Sequence, residues 1–261
     1  MENYSTNERR ADIIQILNQK DRVMISELCE RYGLSEVTIR KDLEILKKRH
    51  LLFRIRGGAI RIPSTVDGND ARVEAKRLFY YKQKRAIGRM AASLINENET
   101  IIIDSGTTTM EVAKNLHHFQ NLTIVTNAID IALEVSKYDR FNVILLGGHL
   151  RESSLSTVGP LAESVLKVCY CDKLFLGVDS FTIEKGISTP NLEEANINQT
   201  MISMAKECIA VFDSSKFDKR SFAFIAQVKD INAIVTDEDI PPKILSELTQ
   251  RNIKIHIASY R

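Results

Sequence analysis

Residues 24–56 read MISELCERYGLSEVTIRKDLEILKKRHLLFRIR, two short amphipathic segments on either side of a glycine. Ser26 ahead of Glu27 predicts a helix start. The helix through Leu28 and Tyr32 is expected to stop at Gly33, which adopts left-handed backbone without strain. Ser35 is the expected cap of the next helix. Thr38 stands where a capping box wants Glu or Gln, so that cap is single-sided. Ile39, Leu43 and Leu46 recur at helical spacing and are expected inside, which leaves Glu36, Thr38, Arg40 and Lys41 outside. Upstream, Ile13, Ile14, Ile16 and Leu17 mark one broad face of a helix over residues 8–18. Downstream, LLFRI, the pair Gly57 and Gly58, and AIRI predict two short strands joined by a glycine turn, a β-hairpin or wing.

A DNA major groove admits one α-helix and is read by side chains from that helix's first turns. The helix opening at Ser35 is suited to such a groove, because its amino end can meet a phosphate and hydroxyls and cations follow at once. The candidate DNA-contacting residues are Ser35, Glu36, Thr38, Arg40 and Lys41 on the helix, with Arg54 and Arg56 on the wing. The competing reading is a small protein-interaction module in which Arg40 and Lys41 form a solvated face.

Charge is distributed in keeping with a DNA-binding head. Residues 1–62 hold thirteen Lys and Arg against nine Asp and Glu, whereas the remainder holds 23 against 25. A basic head on a mildly acidic body is expected where only the head meets a polyanion. The full length of 261 residues exceeds the usual single domain, so a small and a medium domain are expected. No apolar run approaches the ~18 residues of a membrane span, and MENYSTNERRADIIQIL has no unbroken apolar core of a signal peptide. A cytoplasmic protein without membrane attachment is expected. Cys29, Cys169, Cys171 and Cys208 follow no disulfide or zinc spacing and are expected to be buried free thiols. His117 and His118 are adjacent, so on a helix they diverge by about 100°. His50, His149 and His256 have no partner at ligand spacing, so no metal site and no cofactor are expected.

Residues 63–70, PSTVDGND, are the linker candidate. Residues 71–95 look helical and begin basic, with Arg72, Lys76, Arg77, Lys82, Lys84 and Arg85. From Ile101 the pattern becomes strand, loop, helix. Strands are expected at 100–104, 122–126, 142–147, 173–179, 208–213, 233–237 and 253–258, with helices at 109–116, 128–137, 160–168, 194–206 and 241–251. Several strands are continuously apolar, as when helices cover both faces of a parallel sheet. The expected division is a winged helix-turn-helix domain at 1–62, a linker and basic helix at 63–85, and a doubly wound α/β domain at 86–261.

In that larger domain, IIIDSGTTTMEVAKNL predicts a strand, a loop of Ser105, Gly106, Thr107, Thr108 and Thr109, then a helix. Small hydroxylated residues around a glycine at a helix start offer N–H groups and hydroxyls to an anion. The GxxxxGK[ST] and GxGxxG fingerprints are both absent, which leaves a phosphate on a small molecule as the natural ligand, or an ordinary helix start with no ligand. Other strand ends carry Thr126 and Asn127, Gly147 and Gly148, Gly177 through Asp179, and Asp213 through Lys216. Carboxyl ends of strands line the ligand crevice of open parallel sheets. Lys216 can neutralise a phosphate, and Asp104 or Asp179 can accept from sugar hydroxyls.

LSEVTIRKDLEIL followed by RIRGGA closely resembles the signature of the DeoR family of bacterial transcriptional regulators. The segments IIIDSGTTT, VTNAID, LLGGHLR, LFLGVDSFTIEKGIST and FDSSKF resemble that family's effector domain, so the resemblance spans the whole chain. It implies a winged helix-turn-helix followed by a sensor domain similar in fold to ribose-5-phosphate isomerase and glucosamine-6-phosphate deaminase. It further implies a DNA operator and a phosphorylated sugar as partners. Within the family, GVDSFTIEKGIST and the run from Asn191 to Asn196 most resemble regulators of N-acetylgalactosamine and galactosamine utilisation, which points to an amino-sugar phosphate. Candidate effector-binding residues are Asp104, Ser105, Gly106, Thr107, Thr108, Thr109, Thr126, Asn127, Gly147, Gly148, Asp179, Glu194 and Lys216.

The rival function is a sugar-phosphate isomerase carrying an N-terminal DNA-binding module. Asp179, Glu184 and Glu194 could serve as bases. However, where isomerases of this fold carry Gly-Ala-Asp-Glu, this chain has Gly177, Val178, Asp179 and Ser180, and the Lys-Gly-Gly-Gly that should follow appears only as Lys185, Gly186, Ile187 and Ser188. No catalytic residue is therefore expected. The expected assembly is a homodimer or homotetramer, which sets two recognition helices on a repeated operator.

Overall fold

The computed structural model describes residues 5–20, 22–49, 51–61, 73–77 and 79–260. The chain divides into two compact units, one of residues 1–65 and 74–81, the other of 66–73 and 82–261.

The first unit runs α1 (Thr6–Lys20), β1 (Arg22–Met24), α2 (Ile25–Tyr32), α3 (Glu36–Lys48), β2 (Leu52–Ile55) and β3 (Gly58–Arg61). The hairpin forms as expected, with Leu52 opposite Arg61 and Ile55 opposite Gly58. A third strand, β1, pairs with β3 on its other side, giving the order β1-β3-β2. Three residues are too few to show an alternating pattern, so β1 left no mark in the sequence. Gly58 is required there, since a Cβ would fall 2.2 Å from the Val23 carbonyl oxygen. The entry of α2 differs from expectation for the same reason. With residues 22–24 drawn into the sheet, the helix leaves directly from the strand. Met24 is its cap residue, and the Met24 N–H donates to Glu27 Oε2 at 3.1 Å, so Ser26 lies inside the first turn. Gly33 closes α2 at φ 63°, and Ser35 caps α3 by accepting from the Thr38 N–H. Ile13, Ile14, Leu17, Val23, Leu28, Ile39, Leu43 and Leu46 make the core beneath α3.

The segment expected as one helix over 71–95 is two: α4 (Val73–Lys76) and α5 (Tyr81–Ala92). Tyr80, at φ 54°, interrupts them, because a side chain in left-handed backbone does not continue a helix. Residues 71 and 72, like the linker candidate at 63–70, lie outside the described residues. Lys84, one of the cations that make the start of this segment basic, turns inward, 4% exposed, with its Nζ 3.9 Å from Asp213 Oδ2.

The second unit continues with β4 (Thr100–Ile103), α6 (Thr107–Ala113), β5 (Leu122–Thr126), α7 (Ile129–Val135), β6 (Phe141–Leu145), β7 (His149–Arg151), β8 (Ser156–Val158) and α8 (Pro160–Leu166). Then come β9 (Cys171–Gly177), β10 (Ser180–Thr182), β11 (Gly186–Thr189), α9 (Leu192–Met204), β12 (Ala205–Val211), β13 (Ala223–Ala226), β14 (Ala233–Asp237), α10 (Pro242–Gln250) and β15 (Lys254–Ala258). Seven strands form a parallel sheet in the order β15-β14-β12-β9-β4-β5-β6. The chain thus winds outward through β4, β5 and β6, returns beside β4 as β9, and winds the other way. This is a doubly wound α/β fold.

Successive residues of one strand feed opposite cores, which explains the continuous apolar runs. Ile102, Leu174, Leu176, Ala210 and Ile234 pack with α8, α9 and α10 on one face. Ile101, Ile103, Phe175, Ile209 and Val235 pack with α5, α6 and α7 on the other. Two small antiparallel sheets, β10-β11-β13 and β7-β8, accompany the main one. Their strands of three or four residues fell below what periodicity detects. Of the cysteines, Cys171 and Cys208 are buried free thiols, whereas Cys29 and Cys169 are only partly buried because each sits on the flank of its core cluster.

Candidate functional site

The exposed face of α3 is built by what its other face buries. Ile39, Leu43 and Leu46 are sealed in the core, and Asp42, 2% exposed, joins them. Arg9 Nε donates to Asp42 Oδ2 and Arg10 Nε to Oδ1, each at 2.7 Å, so two guanidinium groups of α1 hold α3 in rotation. Opposite that face, Arg40 reaches Glu36 across one helical turn, Nη2 to Oε2 at 2.9 Å. Arg54 of the wing lies against the carbonyl of Arg40, Nη1 to O at 3.4 Å. Ser35 and Thr38 share a hydroxyl contact of 3.1 Å at the helix start. Lys41 is exposed on the helix and Arg56 is exposed in the wing turn. All seven candidate DNA-contacting residues therefore belong to α3 and the adjoining wing. Sequence reasoning missed Arg9, Arg10 and Asp42; a carboxylate among the buried positions of a helix was the available signal.

In the second unit the sheet order reverses between β4 and β9, and in open α/β sheets ligands bind at that reversal, outside the carboxyl ends of the strands. Asp104 follows β4, and Gly177 ends β9 beside it. The Gly177 N–H donates to Asp104 Oδ2 at 3.2 Å. A Cβ on Gly177 would sit 2.9 Å from the Ser105 carbonyl oxygen, so only glycine lets the strand end approach this loop. Asp104 is 3% exposed. Burial, then the charge of Glu194, pushes its carboxyl up to about 8 against hydrogen bonds from the Ser105 N–H, the Asn198 side chain and the Gly177 N–H.

Glu194, on the first turn of α9, comes to the same place. Its backbone N–H is capped by Asn191 Oδ1 at 3.0 Å. Its carboxylate accepts from Arg151 Nε at 3.2 Å and faces Thr189 Oγ1 at 3.1 Å. Thr189 Oγ1 also lies 3.2 Å from Asp179 Oδ2, so one hydroxyl proton stands between two carboxylates. Asp104, Asp179 and Glu194 are thereby brought together with Arg151, Thr189 and Asn198. Sequence reasoning overlooked the last three, although Asn198 lies one helical turn beyond Glu194 and Arg151 ends the segment LLGGHLR. The group can accept from hydroxyls of a ligand, donate through a protonated Asp104, and offer one partly buried cation.

The loop of residues 105–109 borders this group. Gly106 at φ 146° is the N-cap of α6, and Thr109 Oγ1 closes the turn on the Gly106 carbonyl at 2.9 Å. Thr107 and Thr108 are buried, while Ser105 and Gly106 are half-buried. Other candidates have local duties. The Thr126 hydroxyl donates to the Ile103 carbonyl at 2.6 Å and accepts from the Ala128 N–H at 3.1 Å, so both its roles are occupied. Asn127 Nδ2 donates to the Thr157 carbonyl at 3.2 Å, and its buried Oδ1 has no hydrogen-bond partner among the described residues. Gly147 and Gly148 are exposed beyond β6, and a Cβ on Gly148 would meet the Val158 carbonyl oxygen at 2.6 Å. Lys216 is half-buried in a 3₁₀ turn after β12. Among the described residues no cluster of His, Cys, Asp and Glu is arranged to hold a metal ion. No described helix is long and apolar enough to cross a membrane.

Comparison with known proteins matches both units. Residues 9–65 match the DeoR-like helix-turn-helix domain, and residues 80–238 match the DeoR C terminal sensor domain. The chain is 37% identical over 250 residues to a protein named as a putative aga operon transcriptional repressor in Escherichia coli O157:H7, covering 96% of this chain and 93% of that one. It is 33% identical over 256 residues to the transcriptional repressor AccR of Agrobacterium fabrum, covering 95% and 98%. Among solved structures, ribose 5-phosphate isomerase A of Neisseria gonorrhoeae aligns at 19% identity and a TM-score of 0.38, over 52% of this chain and 53% of that one. With its helix-turn-helix head and its sensor domain both matched, the chain belongs to the DeoR family of transcriptional regulators.

Proposed function

We propose that this regulator represses a carbohydrate-utilisation operon and that a phosphorylated sugar, held where the sensor sheet reverses its order, sets its affinity for DNA. One observation carries the reading: Asp104, Asp179 and Glu194 converge with Arg151 beside a loop of small hydroxylated residues. The loop at 105–109 and Lys216 meet the phosphate, and the carboxyl groups meet the sugar's hydroxyls or an amino group. Names of relatives as repressors, one of them of the aga operon, support the direction of control, and the resemblance carried by GVDSFTIEKGIST and the run from Asn191 to Asn196 favours an amino-sugar phosphate. In the head, α3 enters the major groove with Ser35, Glu36, Thr38, Arg40 and Lys41, while Arg54 and Arg56 reach neighbouring phosphates. Two such heads in a homodimer or homotetramer read a repeated operator. The segment between head and sensor carries the change of state, and the sugar can move DNA affinity only by as much as its own affinity differs between the two states.

We read the sensor as non-catalytic. Three carboxylates would suit an isomerase, but the residue after Asp179 is Ser180, whose hydroxyl pairs with Ser221 at 2.8 Å. A gel-shift assay with DNA from upstream of the protein's own gene, challenged with hexose, pentose and amino-sugar phosphates, tests the whole reading. A specific shift that one sugar phosphate releases is the expected result. No specific shift overturns the DNA reading, a shift indifferent to every sugar phosphate overturns the effector reading, and enzyme-like turnover of any of them overturns the sensor reading.

A further inference from the structure

Val37, the second residue of α3, is 77% exposed. Within residues 5–61 it is the one exposed large apolar side chain among the described residues. Nothing in the folding of the head requires it. A β-branched residue on an exposed helix surface gains no packing and is a poorer helix former than Ala, Glu or Lys. Its surroundings are polar: Arg40, Lys41 and Glu44 follow at helical spacing on the same side, and Ser35 and Glu36 precede it. An aliphatic side chain set into the polar first turn of a helix that enters a major groove has one apolar feature of DNA to meet there, the 5-methyl group of thymine.

We propose that Val37 is a specificity-determining residue that selects thymine at one position of each half-site by packing on its 5-methyl group. This rests on the reading of α3 as the groove-entering helix. The contact divides the work of the helix: Val37 excludes water from one thymine methyl, while the cations around it position the duplex through phosphates and purine edges. Val37 can neither donate nor accept a hydrogen bond, so its discrimination is all apolar and leaves the salt dependence of binding to Arg40, Lys41, Arg54 and Arg56.

The test uses the full-length protein and a duplex selected by it from a random library. Each thymine is replaced singly by deoxyuridine, which removes only the 5-methyl, and binding is measured for the natural chain and for Val37→Ala. Alanine is the best helix former, so the variant keeps α3 intact. At one position per half-site, deoxyuridine is expected to weaken binding by about fourfold, the worth of one buried methyl group, and to have no effect on Val37→Ala at that same position. The salt dependence of the two proteins should be the same. If every deoxyuridine substitution acts equally on both proteins, Val37 does not read thymine and the proposal falls while the DNA reading stands. If no duplex is selected at all, both fall together.

Discussion

Arg9 and Asp42, thirty-three residues apart in the chain, meet inside the first unit with Nε and Oδ2 separated by 2.7 Å. Arg10 holds the other carboxylate oxygen at the same distance. The first helix thereby fixes the rotation of α3 with charges that point away from its exposed face. An ion group this well hydrogen-bonded contributes little net stability over an apolar one, but removing one member leaves the others buried and unpaired.

Asp42→Ala is therefore expected to destabilise the head by about 3–5 kcal/mol, since two guanidinium groups lose their counter-charge. Calorimetry should find the head's transition lowered and that of the sensor unmoved. Equal melting of both proteins would mean that Arg9 and Arg10 find water instead.

Arg40→Ala should weaken operator binding by about 1–3 kcal/mol if the guanidinium leaves Glu36 for a base edge. Without DNA the Arg40–Glu36 pair is exposed and lies one turn apart, so it offers little resistance to that exchange. Titration of labelled operator measures the change; unaltered binding removes Arg40 from the reading set.

Gly177→Ala should abolish the response to the effector and leave operator binding intact. The added methyl would lie 2.9 Å from the Ser105 carbonyl oxygen and 3.4 Å from Asp104 Oδ2, displacing the loop proposed to hold the phosphate. Release of operator at the usual effector concentration would place that loop outside the site.

Asp104 makes stability depend on pH in an unusual direction. Its folded-state value is raised from 3.8 to about 8, so the folded chain keeps a proton that the unfolded chain has released. Between those values the folded state binds more protons, and stability contributed here falls as pH rises, reaching its minimum above about 8. Asp104→Asn removes that slope. Urea denaturation at pH 5, 7 and 9 should find the variant gaining on the natural chain at each step, and parallel curves would contradict the assignment.

Lys216→Ala should leave operator binding unchanged while the effector no longer releases DNA, because the proposed countercharge to the phosphate is gone. A gel shift with and without effector reads this directly. A normal response would locate the phosphate away from the turn after β12.

The sequence was most legible where one element speaks for itself. Gly33 and Ser35 marked a helix end and a helix start, and Leu122–Thr126 and Ala233–Asp237 were bounded to the residue by their apolar runs. Less legible were elements that depend on a neighbour. The strand at Arg22–Met24 exists because β3 offers it an edge, and its pairing moved the α2 cap from Ser26 to Met24. The inward turn of Lys84 likewise depends on Asp213, far along the chain.

Local periodicity and capping chemistry thus determined the winged head, the parallel sheet covered on both faces, and the loop of small hydroxylated residues at 105–109 that opens a helix. These follow from interactions within a few turns or one strand of chain, which is the range over which a pattern of residue types can be read. Only the tertiary structure decided that β9 returns beside β4, bringing Asp104 to Gly177, and that α9 delivers Glu194 to Thr189 and Arg151. It also turned Asp42 from a polar position on a helix into the anchor that aims α3. Those outcomes rest on contacts between distant residues, whose partners are chosen by strand order and core packing that no short stretch encodes.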